Sequence, residues 1–77
     1  MNDTEFTVND VLVEILDKTS YRYIIKEIDE NGCWIVYLAP SGRLYLTSFW
    51  CSFGEMSRNY VKVGFWDDEN NRVIEDD

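Results

Sequence analysis

The sequence predicts a mainly β domain, a small barrel of five short strands with one short helix or 3₁₀ turn before the last core strand. Three observations carry that expectation. Short runs rich in Val, Ile and Tyr recur along the chain, the composition of half-buried strands. Two turn signals, Asn31-Gly32 and Pro40-Ser41-Gly42, separate neighbouring runs, which suits tight hairpins. The third is size: 77 residues, 45% of them apolar, fit a single domain that spans residues 1–77 and has one modest core.

The elements follow in order. Val8-Asn9-Asp10 reads as a turn and residues 11–16 as the first strand, followed by a polar loop over 17–20. Residues 21–28 alternate as far as Tyr23 and Ile25 and then slip by one before Ile28, as a β-bulge would produce. Asn31-Gly32 predicts a hairpin in which both residues tolerate positive φ. The third strand, 33–39, has no polar interruption, so it is either covered on both faces or presents an apolar face to a partner. Arg43 to Thr47 give a fourth strand, and Thr47 or Ser48 could cap a helical turn through Gly54. The last core strand is read from Val61, Val63 and Phe65, with Tyr60, Lys62 and Trp66 opposite and a bend at Gly64. The barrel then covers about residues 6–66, ahead of an acidic segment, 67–77, in which Arg72-Val73-Ile74 could add an edge strand.

The net charge of −8 is unevenly placed. Residues 1–17 carry Asp3, Glu5, Asp10, Glu14 and Asp17 and no base, and residues 67–77 carry six acids against Arg72 alone. The intervening stretch is close to balanced, which argues against direct nucleic-acid binding, since phosphate affinity needs clustered Lys and Arg. Nothing in the first residues reads as a signal peptide or a membrane span, so a cytoplasmic protein with no membrane contact is expected. In that compartment Cys33 and Cys51 are reduced and act as small buried hydrophobes.

Chemistry is hard to place here. The chain has no histidine, so a serine or cysteine nucleophile lacks its usual base, and no phosphate-loop, dinucleotide or EF-hand pattern occurs. The expectation is a non-enzyme with no cofactor and no metal.

The order Val8-Asn9-Asp10-Val11, Tyr23-x-Ile25-x-x-Ile28, Gly42 ahead of Leu44-x-Leu46, and Tyr60-Val61-x-Val63 resembles the layout of small SH3-like barrels of the Tudor and KOW kind. These include short phage and mobile-element proteins such as anti-CRISPR-type inhibitors. The likeness spans about residues 6–65 and lies in turn and core positions. Asn9-Asp10 stands where a Gly-Asp opening is frequent, and asparagine can adopt the same left-handed geometry. The resemblance implies a protein-binding module, plausible as an inhibitor of a basic host nucleic-acid enzyme. The alternatives are a homodimeric scaffold whose acidity serves solubility, and a Tudor-like aromatic cage for a methylated cation.

Two sets of partner-binding residues are expected. Ile35, Tyr37, Tyr45, Tyr60 and Trp66 fall on the outward registers of neighbouring strands, an apolar and tyrosine-rich patch of the kind that marks an interface. Trp34, Phe49, Trp50, Phe53 and Phe65 are expected in the core. The acidic set is Asp67, Asp68, Glu69, Asp76 and Asp77, supported by Glu14 and Asp17, with both chain ends converging on one side.

Overall fold

The computed structural model describes residues 6–16 and 21–75. Six antiparallel strands form one sheet, β1 (Asp10–Glu14), β2 (Arg22–Ile28), β3 (Gly32–Leu38), β4 (Leu44–Ser52), β5 (Tyr60–Asp67) and β6 (Arg72–Glu75), with one helix, α1 (Phe53–Asn59), between β4 and β5. The order across the sheet is β4-β3-β2-β1-β5-β6. Residues 72–75 are therefore a true sixth strand, and β4 and β6 are the two edges. Among the described residues no helix is long and apolar enough to cross a membrane.

The chain enters β1 through Asn9, held at φ 77°, the left-handed geometry that asparagine tolerates. Its N–H donates to Ile25 O and its carbonyl accepts from Trp66 N–H, so one turn is tied to both neighbours of β1. Asp10, only 2% exposed, accepts from the Thr7 backbone N–H and hydroxyl, both at 2.8 Å. Lys62 Nζ approaches the same carboxylate at 3.4 Å. A buried charge is tolerable only when hydrogen-bonded and paired in this way.

The slip in β2 is present: Ile25 pairs with Ile35 and Glu27 with Trp34, leaving Lys26 as the extra residue. The β2–β3 hairpin differs from its expected form. Neither Asn31 nor Gly32 has positive φ; instead the Asp29 carboxylate accepts the N–H groups of Asn31 and Gly32, each at 2.7 Å. This side-chain mimic of a turn removes the need for a left-handed pair. At the β3–β4 hairpin Gly42 does take φ 94°, as its place after Pro40-Ser41 predicted.

β4 runs on to Ser52, beyond the expected Thr47, and the helix comes later than Thr47 or Ser48 would start it. The reason is the capping box Ser52-x-x-Glu55. Glu55 N–H donates to Ser52 Oγ at 3.2 Å and Ser52 N–H to Glu55 Oε1 at 3.4 Å. That reciprocal pair fixes the helix start, leaving Ser48 to Cys51 free to pair with β3. Residues 55–59, beyond the Gly54 at which the helical turn was expected to end, form the body of α1, whose Met56 is buried.

Successive strand residues point to opposite faces, and both faces are filled. On the first face Leu12, Ile25, Cys33, Ile35 and Cys51 pack with Met56 of α1. On the second face Val11, Ile24, Val36 and Leu38 pack with Trp66. This double burial accounts for the uninterrupted apolar run of β3. In β5 the register shifts between Val11 and Leu12, so residues on either side of Val63 exchange faces. Phe65 consequently leaves the expected core and is exposed, as is Val61, while Trp66 enters the core at 4% exposure. Gly64 is required at the bend, because a Cβ there would fall on the Ile74 carbonyl.

Candidate functional site

α1 covers only part of the first face, and the remainder is aromatic. Tyr37 is the hub of this platform: its ring lies edge-on to Tyr21 at 4.9 Å and to Tyr45 at 4.7 Å between centroids. Tyr23 joins it at 6.0 Å and links onward to Phe49 at 6.1 Å and Tyr60 at 5.4 Å. Strand register produces the assembly, since Tyr23 and Tyr37 are direct cross-strand partners and Phe49 is the partner of Ile35. Edge-to-face pairs of this kind add stability beyond the area they bury. Tyr21, Tyr45 and Phe49 remain exposed. The rings pack against one another, mostly edge to face, as one contiguous aromatic platform.

Burial raises the Tyr37 phenol above its ordinary pKa, with Tyr21 and Tyr45 adding to the effect. Burial also pushes Tyr60 up to about 12, helped by Cys51. Both hydroxyls are therefore protonated at neutral pH and able to donate. Cys33 and Cys51 are cross-strand partners and are free thiols. Burial pushes Cys33 up to about 11, which leaves it a weak nucleophile.

The predicted aromatic set divides. Tyr37, Tyr45 and Tyr60 belong to the platform, but Ile35 is fully buried beneath α1 and Trp66 is core on the second face. Both were expected to face outward, and both are corrected by the structure. Ile35 and Tyr37 do share a face, yet the helix covers the first and not the second. Trp66 is turned inward by the β5 register shift. Conversely Trp34, Phe49 and Trp50, expected in the core, are each roughly two-fifths exposed. Trp34 and Trp50 pair across β3 and β4 on the second face, and the Trp50 indole donates to Asp29 at 2.9 Å. Trp34 borders a groove lined also by Val36, Leu44, Tyr45, Leu46 and Ser48, with Lys26 and Glu27 at its charged side.

The acidic set is also divided. Asp67 shapes its own turn, accepting from Glu69 N–H and the Asn70 side chain. That Asn70 bond, followed by the Glu69 backbone, holds its carboxyl below the usual range. Asp68 accepts the Trp66 indole at 2.8 Å and the Asn9 amide at 3.4 Å. Glu14 instead pairs in register with Tyr60 at the other end of β1, so it does not join the Asp67–Glu69 turn as expected. Asp17, Asp76 and Asp77 lie outside the described residues. Sequence reasoning missed Tyr21, Tyr23, Phe49 and Leu46. A signal existed for the last two, because no charged residue lies between Arg43 and Glu55.

These features define a mainly β protein of one six-stranded sheet and one short helix, with an aromatic platform beside an uncharged edge strand. Comparison of the chain with family models, with curated proteins and with solved structures found no match.

Proposed function

We propose that this chain is a non-enzymatic protein-interaction module built on a small SH3-like strand meander, and that the aromatic platform is its contact surface. The SH3-like reading is supported by β1 lying between β2 and β5, with the short helix just before β5. One observation carries the functional reading: Tyr21, Tyr45 and Phe49 stay exposed although their rings are already ordered by Tyr23 and Tyr37. A preordered aromatic surface loses little side-chain entropy on binding, and tyrosine supplies both apolar area and a hydroxyl. With a net charge of −8, encounter favours a basic partner. An inhibitor of a host nucleic-acid enzyme is a setting in which that charge would serve. The contact itself falls to the platform, since Glu14 and the Asp67–Glu69 turn lie at opposite ends of β1.

A photo-crosslinking amino acid in place of Tyr45 tests this reading in extract from the native host. The expected result is a discrete adduct that disappears in the Phe49→Ser background, while the same probe in place of Ser57 on α1 gives none. Matching adduct patterns from the two positions would overturn the platform reading.

A further inference from the structure

The two ends of the sheet are unequal, and the inequality points to a specific occupant for one of them. β4 is an edge strand of nine residues with no charge from Leu44 to Ser52. Natural sheets normally guard such an edge with charge, proline or brevity. One guard is present: between Val36 and Leu38 the β3–β4 register shifts, and the skipped residues of β4, Tyr45 to Thr47, bulge away from β3. Within that bulge Leu46 is 99% exposed, so the bulge offers an apolar side chain to solvent rather than a charge.

Beyond the bulge β4 is regular, and its phase can be read. Phe53 N–H donates to Asn31 O at 3.0 Å, while Gly32 pairs with Ser52 and Cys33 with Cys51. In an antiparallel ladder this makes Cys33–Cys51 and Ile35–Phe49 the hydrogen-bonded pairs. Trp50 and Ser48 then direct their N–H and C=O groups away from β3, to the open side.

We infer that this edge pairs antiparallel with β4 of a second copy of the chain, about a two-fold axis at Phe49. This deepens the interaction-module reading and rests on it, naming a second copy as the occupant of an edge strand that shares Tyr45 and Phe49 with the aromatic platform. An axis at Phe49 sets Ser48 opposite Trp50 of the second copy, so the outward groups of each strand meet partners of the same phase. The two Phe49 rings become close non-hydrogen-bonded neighbours, a pairing that stabilises antiparallel ladders when aromatic. Leu46 is carried toward Ser52 and the start of α1 in the other copy.

Charge favours a copy and the antiparallel sense. The Leu44 end of β4 begins at Arg43, while the Ser52 end lies beside Asp29, Glu30 and Glu55. An antiparallel two-fold brings each Arg43 toward the acids of the other copy; a parallel pairing would set acid against acid. The uncharged strand between them lets two chains of net charge −8 approach where repulsion is least. Such isologous pairing closes at the dimer and leaves β6 outside the contact.

Sedimentation equilibrium of the full chain, with Ser48→Pro and Leu46→Lys variants, tests the inference. The expected result is a reversible dimer dissociating in the micromolar range, weakened about tenfold or more by either substitution. Ser48→Pro removes an N–H that β3 does not use, and Leu46→Lys leaves the backbone intact, so loss of fold in one variant still leaves the other informative. A wild-type chain that stays monomeric up to about 1 mM would overturn the pairing, as would an unchanged dimer in both variants. Either outcome leaves the platform reading to its own crosslinking test, in which an adduct with a different protein is distinguished by mass from an adduct with a second copy.

Discussion

β4 and β6 close the same sheet and are built by opposite rules. β6 is four residues long, begins with Arg72 and ends with Glu75. Its terminal carboxylate is held by Arg22 at 2.8 Å, and Val73 packs toward the Trp66 cluster. β4 is nine residues long and uncharged, and six of its residues are exposed in succession. Short length and charge at both ends make β6 a poor template for another strand, whereas among the described residues β4 has only a bulge to discourage one. The comparison teaches that exposure of apolar residues on this protein is local. One edge is finished, and the other is left open beside the aromatic platform.

Two tryptophans make the comparison measurable, because each belongs to one edge region and each donates its indole N–H to an aspartate. Trp66 donates to Asp68 and is buried; Trp50 donates to Asp29 and is two-fifths exposed. Trp66→Ala removes the side chain that joins Val11, Ile24, Val36 and Leu38, and is expected to cost about 3–5 kcal/mol in urea unfolding. Trp50→Ala is expected to cost about 1 kcal/mol, in keeping with a half-exposed position. Equal losses would mean that the β4 edge contributes to the fold no less than the β6 edge.

A smaller effect sharpens the same contrast by pH. The Asn31 backbone N–H, aided by the Trp50 indole and the Gly32 N–H, holds the Asp29 carboxyl below its ordinary value of 3.8. Because the folded value is the lower one, the stabilising contribution is complete above the ordinary value and is lost as pH falls through the depressed one. Trp50 fluorescence is therefore expected to change only below pH 3.8, and Asp29→Asn should remove that transition. A Trp50 transition near neutral pH would place the indole elsewhere.

Much of the fold was legible because it rests on local rules. The left-handed Asn9, the bulge after Ile25, the turn at Gly42 and the apolar β3 each follow from a few neighbouring residues, although β3's burial on both faces was one of two readings its run allowed. The misreadings have physical causes of two kinds. A capping box at Ser52 outweighed the helix start read at Thr47 or Ser48, although Ser52-x-x-Glu55 was visible. The inward Trp66 and outward Phe65 depend on a register shift against β1, a long-range pairing that alternation within β5 cannot reveal. Of the candidate surface, Tyr37, Tyr45 and Tyr60 were legible from alternation alone. Phe49 and Leu46 were hinted at only by the charge-free run between Arg43 and Glu55, because their exposure follows from β4 being an edge, and strand order is a property of the assembled sheet.

Amide hydrogen exchange followed by NMR at low and high protein concentration tests the open-edge claim most directly. Between about 20 µM and about 1 mM, the Ser48 and Trp50 amides should become protected as copies pair, while the amides of β6 keep the same exchange rates. Concentration-independent exchange at Ser48 and Trp50, or protection that rises on β6 instead, would contradict the account.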